Sequence, residues 1–313
     1  MADLITSEYA IQQIGGSLPP GYSSVLAGAI SAASSAVQRY CGRDFVATDY
    51  DEVYSGLGYS AIQTRQYPVI QVTRLSIGLQ TVLTVANNNS SLNQRAVAYL
   101  TDTGTGQTDP TSSGITLVRV ASSVTTTDTS TTFASYPTVQ AAADHINGLG
   151  NGWTATPATG YTLWPSADLR AVQGAQGALA SQGGIGAQFQ AFTTDLTCYT
   201  VDALTGRIQM NSQQWDPIFA HMNLGASPLV STFPPSFDGL RIQYRAGYST
   251  IPYDVQQATL LTTQALVWQS MRPSMLKSET AKDYSYELND LNGYSLPEPA
   301  RQLLLPWRAY RRY

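Results

Sequence analysis

Ser23-Ser24-Val25-Leu26-Ala27-Gly28-Ala29-Ile30-Ser31-Ala32-Ala33-Ser34-Ser35-Ala36-Val37-Gln38-Arg39-Tyr40-Cys41-Gly42 runs without a linker into Arg43-Asp44-Phe45-Val46-Ala47-Thr48-Asp49-Tyr50-Asp51-Glu52-Val53-Tyr54. In the first half Leu26, Ile30, Ala33, Val37 and Tyr40 recur at helical spacing and share one stripe. Ala27, Gly28, Ala29 and Ala32 make a second face small enough for close packing. Ser23 or Ser24 caps the start, and Gly42 ends the helix after Arg39, whose charge suits the C-terminal dipole. From Asp44 the period falls to two, the pattern of a strand. A helix feeding a strand of an antiparallel sheet makes this an α+β chain.

Upstream, Thr6 or Ser7 caps a short helix that reaches Ile14 and stops at Gly15-Gly16. Downstream, Ser55-Gly56-Leu57-Gly58 reads as a turn, with a return strand over residues 61–65. A further strand opens at Tyr67-Pro68 and alternates to Ile77. Near Gly78 the composition shifts to Thr, Ser, Gly and Asn, and charges thin out until about Thr194. Strands over 95–100 and 115–120 and one helix after Pro137 fit this stretch. That helix carries Val139, Ala142, Ala143 and Ile146 on one face and ends at Gly148. Trp153, Tyr161, Leu163 and Trp164 require a core there.

Residues 196–210 read as a hairpin about Asp202-Ala203-Leu204-Thr205-Gly206. Residues 239–248 read as a strand with Leu240, Ile242 and Tyr244 inward and Arg241, Gln243 and Arg245 outward. A helix starts near Pro252 with Val255, Ala258, Leu261, Ala265 and Trp268 as its buried stripe, and Arg272-Pro273 ends it. Residues 282–288 read as extended, and a last helix opens at Pro297. The expected organisation is a small helical bundle from residues 1–45 and 248–313, an antiparallel β domain from 46–78 and 196–247, and a β-rich insertion over 79–195.

The chain has 313 residues, 43% hydrophobic and only 12% charged, with a net charge of −4. Lys277 and Lys282 are its only lysines. An acidic balance argues against wrapping DNA through its phosphates. No apolar run is long enough to span a membrane. Residues 1–16 carry no Lys or Arg and do not read as a secretory signal. Cys41 and Cys198 read as two buried thiols in a reducing compartment.

The chemistry of catalysis is sparse. His145 and His221 are the only histidines, and neither has ligand-forming neighbours at metal spacing. Gly148-Leu149-Gly150-Asn151-Gly152 follows a helix where a phosphate cradle would open one. Asp102-Thr103-Gly104 resembles the triplet of aspartic proteases, but that chemistry needs two such carboxylates, so a turn is the simpler reading. Asp49 and Asp51 share a strand face, the ordinary pattern of a solvated sheet side. The expectation is a protein without enzymatic activity, metal or cofactor. After Glu298 no acidic residue occurs, while Arg301, Trp307, Arg308, Tyr310, Arg311, Arg312 and Tyr313 interleave cations with aromatics, the side chains typical of docking hot spots.

Several segments in this order resemble the head–tail connector (adaptor) proteins of long-tailed phages. They are residues 29–45 with Tyr40-Cys41-Gly42-Arg43-Asp44-Phe45, then Tyr50-Asp51-Glu52-Val53-Tyr54-Ser55-Gly56, then Tyr67-Pro68-Val69-Ile70-Gln71-Val72. Asp202 with Thr205-Gly206-Arg207-Ile208 follows, and then Gln243-Tyr244-Arg245-Ala246-Gly247-Tyr248 with Ile251-Pro252-Tyr253-Asp254-Val255 and Ala258. The likeness covers residues 4–78 and 196–288, and the compact members of that family lack residues 79–195. It implies a non-enzymatic structural virion protein of a bacteriophage, made in the host cytoplasm and placed in the neck at the head–tail interface. It also implies a homo-oligomeric ring, usually a dodecamer, beneath the portal protein, a stopper or tail-completion protein on the other side, and double-stranded DNA passing through the lumen without specific binding. By position, the Arg-rich segment from Arg301 onward corresponds to the portal-docking part. The other reading is a particle-surface or glycan-binding module carried by residues 79–195.

Overall fold

The computed structural model describes residues 3–56, 58–101, 114–171, 174–179, 185–210, 232–233, 235–270, 278–281, 284–287 and 296–309. In chain order its elements are α1 (Ser7–Ile14), α2 (Ser23–Cys41), β1 (Thr48–Gly56), β2 (Ala61–Gln63), β3 (Val69–Asn87), β4 (Asn93–Thr101), β5 (Gly114–Ala121), β6 (Val124–Thr132), α3 (Val139–Gly148) and β7 (Trp153–Pro157). There follow β8 (Arg170–Ala171), β9 (Gln176–Gly177), β10 (Ala187–Asp195), β11 (Tyr199–Asp202), β12 (Arg207–Met210), β13 (Ser236–Ala246), α4 (Tyr253–Ser270), β14 (Ser278–Ala281), β15 (Tyr284–Glu287) and α5 (Glu298–Leu304). The fold is α+β, with antiparallel sheets throughout and a separate helical layer.

The helical layer is α2 against α4, with α1 and α5 packed on α4. In α1, Thr6 Oγ1 accepts from the Tyr9 N–H at 3.1 Å. In α2 the expected stripe is buried at Leu26, Ile30, Ala33 and Val37. Gly42 ends it in the left-handed region at φ 70°, with its N–H on the Gln38 carbonyl. Neither Ser23 nor Ser24 caps α2: Tyr22 holds that position, and Ser24 Oγ donates instead to the Gly21 carbonyl at 3.1 Å.

The buried face of α4 differs from the expected stripe. Val255 and Ala258 are inside, but Leu261 and Ala265 are half-buried and Trp268 is exposed. Thr259, Thr262 and Thr263 take the inner positions. Each hydroxyl donates to the carbonyl four residues back, Val255, Ala258 and Thr259 respectively, at 2.7–2.8 Å. A threonine satisfied this way presents only its methyl group to the core.

The main sheet has the order β1-β13-β3-β10-β8, with β7 also on β3. Three smaller sheets run β11-β12-β2, β6-β5-β4-β9 and β14-β15. The expected return strand, β2, therefore does not pair with β1: it pairs with β12, Ile62 opposite Ile208, while β1 pairs along β13. Nor does the composition shift at Gly78 mark a break. β3 runs through it, pairing with β13 over residues 69–77, with β10 over 76–85 and with β7 over 83–87. Gly78 sits in this strand at φ 75°.

The apolar residues gather in distinct cores along this frame. One holds Leu83, Val85, Ile115, Leu117, Trp153 and Phe189. A second holds Tyr50, Leu75, Ile77, Leu240, Ile242 and Tyr244. Two more lie between the helices, around Val37, Phe45 and Val255, and around Leu26, Ile30 and Val267. Among the described residues no helix is long and apolar enough to cross a membrane.

Candidate functional site

The two segments Tyr40-Cys41-Gly42-Arg43-Asp44-Phe45 and Ala246-Gly247-Tyr248 meet where the helical layer joins the sheet. The Tyr248 N–H donates to the Phe45 carbonyl at 2.8 Å, and their rings stack at 6.2 Å. Gly247 is held at φ 117° with its N–H on the Pro68 carbonyl, and a Cβ there would lie 2.6 Å from the Val46 carbonyl oxygen. Only glycine fits that approach.

The Arg43 guanidinium is enclosed by four rings. It lies 4.7 Å from the Tyr67 ring, 5.0 Å from Phe45, 5.6 Å from Trp307 and 5.9 Å from Tyr248. Its NH1 donates to the Tyr67 carbonyl at 3.4 Å. A buried cation faced by aromatic quadrupoles is held electrostatically as well as by packing. This box ties α2, the start of β3, the β13–α4 junction and the segment after α5 to one another.

That last segment closes over the box. After α5, a 3-10 turn Leu305–Trp307 leads to Arg308 and Ala309. The Ala309 N–H donates to the Cys41 carbonyl at 2.7 Å, supplying a partner for the end of α2. The Arg308 guanidinium lies 5.1 Å from the Tyr40 ring. Burial pushes the Cys41 thiol up to about 11, and the positive charges of Arg43 and Arg308 partly oppose it.

The sequence-derived docking residues divide accordingly. Trp307 packs edge-on against Phe45 and Tyr248 and is part of the helical core. Arg301 pairs with Glu298 at 2.9 Å on its own helix. Arg308 is exposed over Tyr40. Tyr310, Arg311, Arg312 and Tyr313 lie outside the described residues. The structure thus gives Trp307 an anchoring place, where sequence reading had grouped it with the surface cations.

A second cluster was not legible in the sequence. Arg241, expected to face outward, is only 1% exposed. Its guanidinium binds Asp51 through two bonds at 2.6 and 2.9 Å and Asp168 at 2.8 Å. The other Asp168 oxygen accepts from Arg74 at 2.9 Å, and Arg74 also donates to Asp195 at 2.8 Å. Asp168 belongs to the stretch 79–195, so the outer face of β13 is covered by a residue too distant in sequence for periodicity to reveal. Burial disfavours charge on Asp195, but the Ser76 hydroxyl and Arg74 outweigh it and hold the carboxyl below its usual value. Asp51 is therefore an ion-pair partner, and Asp49 pairs loosely with Arg245 at 3.3 Å.

On the inner face of β1, Glu52 is fully buried, and both Tyr54 and Tyr244 donate their hydroxyls to its Oε2. Those phenols accept in turn from the backbone N–H groups of Arg65 and Gln66. Burial first, and then the nearby Glu52, raise the Tyr54 phenol above the ordinary tyrosine range; burial, then the neighbouring Tyr54, and then Glu52 raise the Tyr244 phenol.

His145 packs against Tyr136 at 4.1 Å between ring centroids. His221 and Asp102 lie outside the described residues. Among the described residues no group of His, Cys, Asp or Glu could hold a metal ion. Trp153 is buried with its Nε1 donating to Asp128 at 2.6 Å, and Tyr161 and Trp164 pack edge-to-face on the same core. No protein-family model matches this chain. No curated protein matches it either.

Proposed function

We propose that this chain is a structural virion protein, a head–tail adaptor that forms a ring beneath the portal and joins capsid to tail, with DNA passing through its lumen. The observation that carries this reading is the meeting of the segments on which the resemblance rests. Arg43 and Phe45 from one, Tyr67 from another and Tyr248 from a third build one aromatic box. Residues scattered over two hundred positions of sequence thus converge on a single joint between the helical layer and the sheet.

The box also supports a docking role for the Arg-rich segment. Trp307 and Ala309 fix its root at the end of α2, so Arg308 and the cations that follow it in sequence start from a set point. An anchored start lowers the ordering cost of binding. The acidic, lysine-poor composition suits a lumen that must not hold DNA. The reading involves no substrate turnover. The glycan-binding alternative for residues 79–195 has less support, because Trp153 lies inside and Tyr161 and Trp164 are half-buried.

Electron microscopy of the purified chain mixed with the portal of the same genome tests the proposal. A ring of this protein on the portal is expected. Replacing Arg308, Arg311 and Arg312 by Ala should weaken attachment at least tenfold, about 1.4 kcal/mol for the three together, and lower its salt dependence. Unchanged attachment would take these residues out of the interface, and no association well above micromolar concentration would remove the adaptor reading.

A further inference from the structure

The sheet β6-β5-β4-β9 ends on β6, and no described strand pairs with its outer side. β6 is Val124-Thr125-Thr126-Thr127-Asp128-Thr129-Ser130-Thr131-Thr132, rich in β-branched residues and without Lys, Arg, Pro or Gly. Edge strands are ordinarily blunted by such residues, by charges, exposed or turned inward, by bulges or by shortness. The one charge in β6, Asp128, turns inward to Arg119 and Trp153. The register also shifts at Asp128, between the Val118–Thr127 and Leu117–Thr129 pairs, so the regular, unprotected stretch of this edge is Val124–Thr127.

The register identifies the free groups. Ser122 and Ser123, at φ 49° and 63°, form a two-residue turn closed by Ala121 opposite Val124. The closing pair of such a hairpin is hydrogen-bonded, and so is Arg119 with Thr126. Thr125 and Thr127, opposite Val120 and Val118, therefore turn their N–H and C=O groups to the unpaired side. A second feature complements this one. β14 and β15 form a hairpin that pairs with no third strand among the described residues. A two-stranded hairpin is marginal in water unless a sheet extends it.

We propose that the β14–β15 hairpin of one copy adds to the outer edge of β6 in a second copy, extending its sheet. The inference rests on the ring reading above. Donor and acceptor are different surfaces of one chain, each used once per copy, which is the requirement of a head-to-tail ring. Strand addition gives affinity through main-chain hydrogen bonds.

The test uses the full chain with Thr127→Cys and Ser285→Cys, treated with a short bismaleimide alone and with portal present. Cys41 and Cys198 are buried, and the wild-type chain controls for them. The double variant should give a ladder of covalent dimers and larger species. Mixed single variants should stop at dimers, which excludes links within one chain. Adding Thr125→Pro removes an outward donor while keeping the β5–β6 ladder, and should cut the yield about tenfold. Monomer alone in both conditions, or a yield indifferent to the proline, would overturn the pairing. Portal attachment of the same variants is scored separately. A ladder without attachment keeps the pairing and removes the adaptor role; attachment without a ladder does the reverse.

Discussion

Arg241 illustrates how far a single side chain departs from its periodicity. Its position in an alternating strand assigns it to solvent, yet Asp51 and Asp168 enclose it. Removing one partner from such a buried group leaves charge without compensation, so Arg241→Met should cost about 3–5 kcal/mol in a denaturant titration. A loss below about 1 kcal/mol would mean that both aspartates relax to water. Asp195 gives the pH counterpart. Its carboxyl is depressed in the folded state, so its contribution is full above the unfolded value near ~3.9 and fades as pH falls through the lower folded value. Melting temperatures followed from about pH 5 to about pH 2 should fall less steeply in Asp195→Asn than in the wild type. Parallel curves would contradict the assignment.

Among the elements, those with a strong local signal were the legible ones. The stripe of α2 and the Val139, Ala142, Ala143, Ile146 face of α3 are where the spacing puts them. α4 was placed along the chain, but its inner face was misjudged, because a threonine bonded to its own helix counts as apolar and looks polar in sequence. β6 escaped reading altogether, since a run of threonines has no alternation to detect. Of the candidate site, Trp307 was found as a residue but not as an anchor, because Arg43, Tyr67 and Tyr248 come from segments that meet only in three dimensions. The segment over Cys41 makes its own prediction. Trp307→Ala removes a half-buried aromatic worth about 2 kcal/mol. Opening of the segment should rise about thirtyfold, read as faster reaction of the Cys41 thiol with a maleimide. An unaltered rate would show that the Ala309–Cys41 bond closes the site without the ring.

For the molecule as a whole, the stretch of residues 79–195 is built into the sheet rather than hung from it. β3 passes through two cores, and Asp168 returns from the far side to bind Arg74 and Arg241. Unfolding should therefore be one event: exchange protection of amides at residues 72–77 and 82–87 of β3 should be lost at the same denaturant concentration. Two separated steps would mean that the cores are independent. The same strand has a mechanical meaning. With 19 residues at about 3.3 Å each, β3 reaches roughly 60 Å. A load applied along its axis is shared by the ladders to β13, β10 and β7 in shear, many bonds yielding together. A load across it peels those bonds singly. The protein is thus stiff in one direction and compliant in another, with β3 as the beam that sets which is which.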